Sequence, residues 1–174
     1  MQDPDPRTVQ RARGGDLRAF EELVRSYQAE VYRFAWHLTR DRTLAEDVTQ
    51  DTFLRAFRFI RGYRGDQRFG SWLFAIARNC SMDALRSHRV APTDAEPTAR
   101  TTGDASARVE LDTALAAVSA EHREAFLLVE VFGLPYADAS VVLATKVGTL
   151  KSRVHRARAH LITELSEGEA ADEM

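Results

Sequence analysis

The chain has 174 residues, 44% of them hydrophobic and 29% charged, which is enough apolar material for one ordinary domain or two small ones and excludes wholesale disorder. Its 24 Lys and Arg against 26 Asp and Glu leave a net charge of −2, which on average argues against a nucleic-acid partner. The lone Cys80 excludes an intrachain disulfide and a paired-cysteine zinc grip. No apolar run reaches the roughly 20 residues of a membrane helix, so the chain reads as soluble and cytoplasmic, without membrane insertion.

Only five prolines and nine glycines punctuate the chain, and Val, Ile and Thr form no alternating runs, so an all-α protein is predicted. The first residues carry no periodic apolar face and are expected to be frayed. Asp16 then caps a long helix whose apolar positions Leu17, Phe20, Leu23, Val24, Tyr27, Val31, Phe34 and Leu38 advance by threes and fours. Thr43 with Glu46 has the spacing of a capping box, opening a second helix through Leu44, Val48, Thr52, Ala56 and Ile60. Gly62 and Gly65 end it. Ser71 is expected to cap a third helix that turns Trp72, Leu73, Ile76, Ala77, Cys80 and Ala84 toward a core.

After about His88 the pattern fails, because Pro92, Pro97, Gly103 and scattered small polar residues give no apolar face. The predicted organisation is therefore a helical domain over 8–89, a flexible linker over 90–107, a second helical domain over 108–165 and an acidic tail over 166–174. In the second domain Arg108, Val109, Leu115 and Val118 begin the module. Ser119 caps a helix from Glu121 to Val131, and Gly133 closes it. A short helix from Tyr136 to Leu143, a turn at Ala144-Thr145-Lys146 and a last helix from Gly148 have the proportions of a helix-turn-helix.

Mapped onto these elements, the charge is segregated. Residues 54–89 hold eight Arg against Asp66 and Asp83, and residues 146–160 hold five Lys and Arg with no acid, whereas residues 104–145 hold seven acids and two bases. In the last helix Leu150, Val154, Ala157 and Leu161 fix the buried face. Lys151, Ser152, Arg153, His155, Arg156 and Arg158 then point outward, a set able to hold phosphates and reach base edges. Over residues 60–89, Tyr63, Phe69, Trp72 and Phe74 interleave with arginines, a composition suited to unpaired bases and their phosphates. Phe69 and Trp72 read as core; Tyr63 and the arginines of its Gly-flanked loop do not. On the second helix Glu46, Asp47, Gln50 and Asp51 share an acidic face with no nucleophile or His beside it. A docking surface for a basic partner fits better than a metal or acid–base site. A dimeric helix-turn-helix regulator would account for residues 136–161 but leave the other two sets idle.

Two stretches carry a resemblance. DLRAFEELVRSYQAEVYRFA, DRTLAEDVTQDTFLRAFRFI and YRGDQRFGSWLFAIARN, within Asp16–Arg89, resemble the promoter-melting domain of the extracytoplasmic-function group of bacterial RNA polymerase sigma factors. Ala114–Leu161, ending VGTLKSRVHRARAHL, resembles that group's second domain. The resemblance implies a non-enzymatic, cofactor-free subunit that binds core RNA polymerase and promoter DNA and is held inactive by an anti-sigma factor. It implies that Asp47, Gln50 and Asp51 meet the polymerase, and that Tyr63, Arg64, Gln67, Arg68 and Asn79 hold the minus-ten element. Lys151, Ser152, His155 and Arg156 would read the minus-thirty-five element, with Arg153 and Arg158 near phosphates. The family usually has Gly where this chain has Ala144 in the turn.

Overall fold

The computed structural model describes residues 3–90 and 112–172, and the chain divides into two compact helical units, one carrying the helices up to Val90 and the other those from residue 112. The predicted linker over 90–107, and Arg108 and Val109 after it, fall outside the described residues except for Val90.

The first unit opens with a helix the sequence does not advertise. Helix α1 spans Pro6–Arg13, with Asp5 accepting the Arg7 N–H and Pro6 in the first turn where its missing N–H costs nothing. Residues 6–13 are therefore ordered rather than frayed, because Val9 and Ala12, three apart, are buried. Helix α2 spans Leu17–Thr39. The Asp16 carboxylate accepts the N–H groups of Arg18 and Ala19 at 3.0 and 3.2 Å, as its position before the apolar run predicts. Helix α3 spans Arg42–Phe59. Its cap is Asp41, whose side chain accepts the Leu44 N–H at 2.9 Å, and not the predicted Thr43 box. Glu46 pairs instead with Arg42 one turn back, at 3.1 Å. A tight 3-10 turn, Ile60–Gly62, leads to the loop before α4, Phe69–Val90. That helix begins two residues before Ser71, which is buried inside its first turn and is not a cap.

Helices α2, α3 and α4 pack on one another through Tyr27, Val31, Phe34 and Leu73, whose spacing predicts an inward face, and through Phe74, which its interleaving with arginines sets among the nucleic-acid candidates. Tyr27, Val31, Phe34, Leu73 and Phe74 are fully buried, and Phe34 meets Phe74 edge to face with ring centroids 5.3 Å apart. Ala35, Ala45, Val48 and Cys80 form a cluster of small side chains that lets the three backbones approach closely.

The second unit begins with helix α5, residues 112–117, followed by α6, Ala120–Phe126. Ser119 stands at the start of α6, but its hydroxyl is bonded to His122 Nδ1 at 2.9 Å and not to a backbone N–H. The predicted continuation to Val131 is present as a π-helical turn, Leu127–Val131, one residue wider than an α turn, and Gly133 at φ +69° ends it. Helix α7, Tyr136–Val142, and helix α8, Val147–Asp172, are the helix-turn-helix pair. Leu150, Val154, Ala157 and Leu161 are all buried, as the four-three-four spacing requires. Helix α8 runs on through residues 166–172, so the described part of the segment set apart by composition as a tail is helical.

Candidate nucleic-acid interface

The outer face of α8 is built by what lies beneath it. With every third or fourth residue buried against α6 and α7, Lys151, Ser152, His155 and Arg156 are exposed and carry no carboxylate partner among the described residues. Lys151 Nζ lies 5.9 Å from the centre of the Tyr136 ring at the start of α7, a cation–π distance that restrains its long stem. Ser152 Oγ donates to the Gly148 carbonyl at 3.2 Å, so its hydroxyl is oriented along the helix.

Arg153 and Arg158 differ from the expectation that all six residues point freely outward. Arg153 Nη2 is 2.6 Å from Glu121 on α6, with its side chain only 23% exposed, and Arg158 Nη2 is 2.8 Å from Glu130 in the π turn. Both arginines tie α8 to its own unit. The signal that could have found this is the acidity of residues 104–145, two of whose carboxylates sit across from the basic helix.

The second basic island surrounds the loop between the 3-10 turn and α4. Gly65 takes φ +79°, a backbone position that favours glycine, and turns the loop. Arg64 is exposed, Gln67 half-buried, Arg68 exposed and Asn79 exposed on α4. Tyr63 is a correction: it is 8% exposed rather than free to stack, and its hydroxyl donates to the Gln67 carbonyl. Its ring joins Phe69 and Trp72 with centroids 5.7 and 5.2 Å away, and Tyr27 of α2 closes on Phe69 at 5.6 Å. Tyr63 thus shapes the loop from below. Trp72, which periodicity places in the core, is only half-buried at the edge of this cluster. Trp72 and Asn79, seven residues apart, share a face of α4. Arg68 Nε reaches Asp3 Oδ2 at 3.5 Å.

On α3, Asp47, Gln50 and Asp51 are exposed together, spaced three and four apart on one face. Asp51 pairs with Arg55 at 3.4 Å, and Arg55 crosses to Asp83 of α4 at 3.0 Å. Arg55, with Arg86 beside it, holds the Asp83 carboxyl below the usual carboxylate range. Beside this face runs an apolar groove between α2 and α3 that sequence reasoning missed. Phe20, Val24, Phe53, Leu54 and Phe57 line it, Gln50 and Glu46 stand on its rim, and Leu54 and Phe57 are about half exposed. A single exposed Leu or Phe gives no warning; the groove appears only when two helices are set side by side. Cys80 is buried, and burial pushes its thiol up, as expected of a core cysteine. Among the described residues no group of three His, Cys, Asp or Glu side chains is placed to hold a metal ion. No helix among them is long and apolar enough to cross a membrane.

These surfaces coincide with known domains. Residues 23–90 match the family model for Sigma-70 region 2, and residues 108–161 match that for Sigma-70, region 4. The chain is 39% identical over 158 residues to the ECF RNA polymerase sigma factor SigC of Mycobacterium tuberculosis, covering 86% of this chain and 85% of that protein. It is 31% identical over 150 residues to the ECF RNA polymerase sigma factor SigM of Bacillus subtilis, covering 81% and 91%. Among solved structures it is similar to CnrH in complex with the cytosolic domain of CnrY, with a TM-score of 0.72 at 26% identity over 92% of this chain and 96% of that one. It is also similar to the sigma factor RpoE of Bartonella quintana in complex with the anti-sigma factor NepR, with a TM-score of 0.70 at 27% identity over 84% and 96%. Both halves of the chain, in order and over most of its length, place it in one family: it belongs to the extracytoplasmic-function RNA polymerase sigma factors.

Proposed function

We propose that the chain binds core RNA polymerase through Asp47, Gln50 and Asp51 of α3 and delivers two DNA-reading surfaces to a promoter. The exposed set Lys151, Ser152, His155 and Arg156 reads the minus-thirty-five element in the major groove, where lysine and arginine reach guanine edges and serine accepts or donates. The loop residues Arg64, Gln67 and Arg68, with Asn79 of α4, take an unpaired base and its phosphates at the minus-ten element, on a platform stiffened by Tyr63. Opening is driven by differential affinity. A site that holds the unstacked base and rejects the paired one offsets an unstacking cost of a few kcal/mol. The polymerase supplies the chemistry; this chain supplies recognition and strand capture, in the cytoplasm where polymerase works.

The observation that carries this reading is the exposed face of α8: four polar or basic side chains without carboxylate partners among the described residues, set opposite four buried apolar ones. One of the two similar structures is of a sigma factor in complex with an anti-sigma factor, and the other is of CnrH in complex with the cytosolic domain of a second protein, which supports a comparable anti-sigma partner here. The deciding experiment mixes the purified chain with core polymerase. Stoichiometric co-migration and promoter-dependent run-off transcription are the expected outcome, and tight binding to a palindrome without polymerase would replace this reading with an ordinary dimeric regulator.

A further inference from the structure

The residues ahead of α1 are acidic and stiff. Asp3-Pro4-Asp5-Pro6 contains two X–Pro steps, which fix φ at each proline and push each aspartate toward extended backbone. Asp5 is extended at φ −54° and ψ 124°, and its carboxylate and carbonyl are both committed to the first turn of α1. Val9 and Ala12 bury the helix, so the lead is held from one end. Its direction brings Asp3 to the strand-capture loop, where its carboxylate meets Arg68 Nε at 3.5 Å. Tyr27 lies beneath, wholly buried and with no hydrogen-bond partner for its hydroxyl among the described residues, and Asp3 adds to burial in raising that phenol. Arg64, by contrast, has no carboxylate partner among the described residues.

A carboxylate on an exposed guanidinium is the same chemistry as a phosphate oxygen on it, and the two exclude each other. We propose that Asp3 is a built-in competitor for the opened strand, occupying Arg68 in the free protein and giving way when a nucleotide phosphate arrives. The inference rests on the reading of the loop as strand-binding. The pair is half exposed on both sides, so the competition is weak and adjustable: it trims binding of stray single strands and yields where the captured base adds its own contacts. Being exposed, it is screened by salt.

The test uses the full chain and a fluorescein-labelled single-stranded 20-mer pool of mixed sequence, because a phosphate contact does not depend on base identity. At low salt Asp3→Asn is expected to tighten binding roughly two- to five-fold, Asp3→Glu to leave it as in the parent, and the gain to shrink as salt rises. In an Arg68→Ala background Asp3→Asn is expected to change nothing. The proposal is overturned if Asp3→Asn leaves affinity unchanged or lowers it, or if its gain survives Arg68→Ala. Arg68→Ala alone separates the two readings. Weaker binding of Arg68→Ala together with an unchanged affinity of Asp3→Asn in the otherwise parental chain removes only the competitor, whereas unchanged binding of Arg68→Ala removes the strand-binding loop and the competitor with it.

Discussion

Ala144 holds the turn of the helix-turn-helix in the left-handed region at φ +48°, where its Cβ crowds the following carbonyl. The turn needs this geometry: Ala144 and Thr145 donate back to the carbonyls of Val141 and Ser140 at 3.1 and 2.9 Å, closing the end of α7. Glycine relieves the crowding but frees the unfolded chain, so Ala144→Gly is expected to stabilise the second unit by a net of up to about 1 kcal/mol. A rise of a few degrees in its thermal midpoint by calorimetry is the corresponding observable. Arg40, also left-handed at φ 55°, is not an equivalent test, because its guanidinium lies 4.4 Å over the Trp36 ring and glycine would remove that contact too. Tyr63 makes the complementary point. Its sequence neighbours Gly62, Arg64 and Gly65 read as an open loop, and only Phe69 and Trp72 of α4, packed in turn on Tyr27 of α2, make it a buried residue.

At the scale of helices, apolar spacing placed α2, α3, α4 and α8, since each presents a repeat of threes and fours long enough to define a face, while α7 was placed by the proportions of a short helix and a turn before α8. Helix α1 escaped because eight residues with two buried side chains give no repeat; its signal was chemical, an aspartate before a proline. The π turn was not legible, because one extra residue in a turn leaves no compositional trace. Of the outward set on α8, the exposure of Lys151, Ser152, His155 and Arg156 follows from the position of the buried face, while the tethering of Arg153 and Arg158 depends on where α6 and the π turn fold back. That difference is measurable in duplex binding. Each phosphate contact contributes a slope of about −0.9 in log affinity against log salt, so Arg156→Ala or Lys151→Ala should flatten the slope by up to that amount if the residue holds a phosphate. Arg153→Ala should leave the slope nearly unchanged and lower the thermal midpoint of the second unit instead. Helix starts also make the first unit acid-sensitive. Arg11 and the backbone of Ala19 and Arg18 hold the Asp16 carboxyl below its ordinary 3.8, so its contribution is complete above that value and is lost as pH falls through the lower folded value. Asp83 behaves likewise through Arg55 and Arg86. Asp16→Asn, which still caps but can neither titrate nor pair with Arg11, is expected to lower the thermal midpoint slightly near neutrality and to converge with the parent below pH 4, so that its fall in acid is blunted.

For the whole molecule the question is why the two DNA surfaces proposed here, each weak and on its own unit, would suffice. Each unit alone offers a handful of basic side chains against a background of acids, and the net charge of −2 gives the free chain no general attraction to DNA. Mounting both on polymerase changes this, because once one surface is engaged the other searches at a high local concentration. The docking face proposed on α3 would therefore control promoter use without touching DNA. Asp47 is the clean place to test it: it is exposed and carries no ion pair among the described residues, so its removal strands no partner. A charge on the rim of an interface acts mainly on association rate and its salt dependence. Asp47→Ala is accordingly expected to weaken binding to core polymerase by roughly three- to ten-fold at low salt, chiefly in the on-rate, with the deficit narrowing as salt rises. Binding of the free chain to duplex DNA and its thermal midpoint should stay as in the parent, while run-off transcription at limiting chain concentration falls in proportion to the lost polymerase binding. Parallel loss of duplex binding and of polymerase binding would mean that the variant is misfolded, and unchanged polymerase binding at every salt concentration would remove the acidic face of α3 from the docking surface.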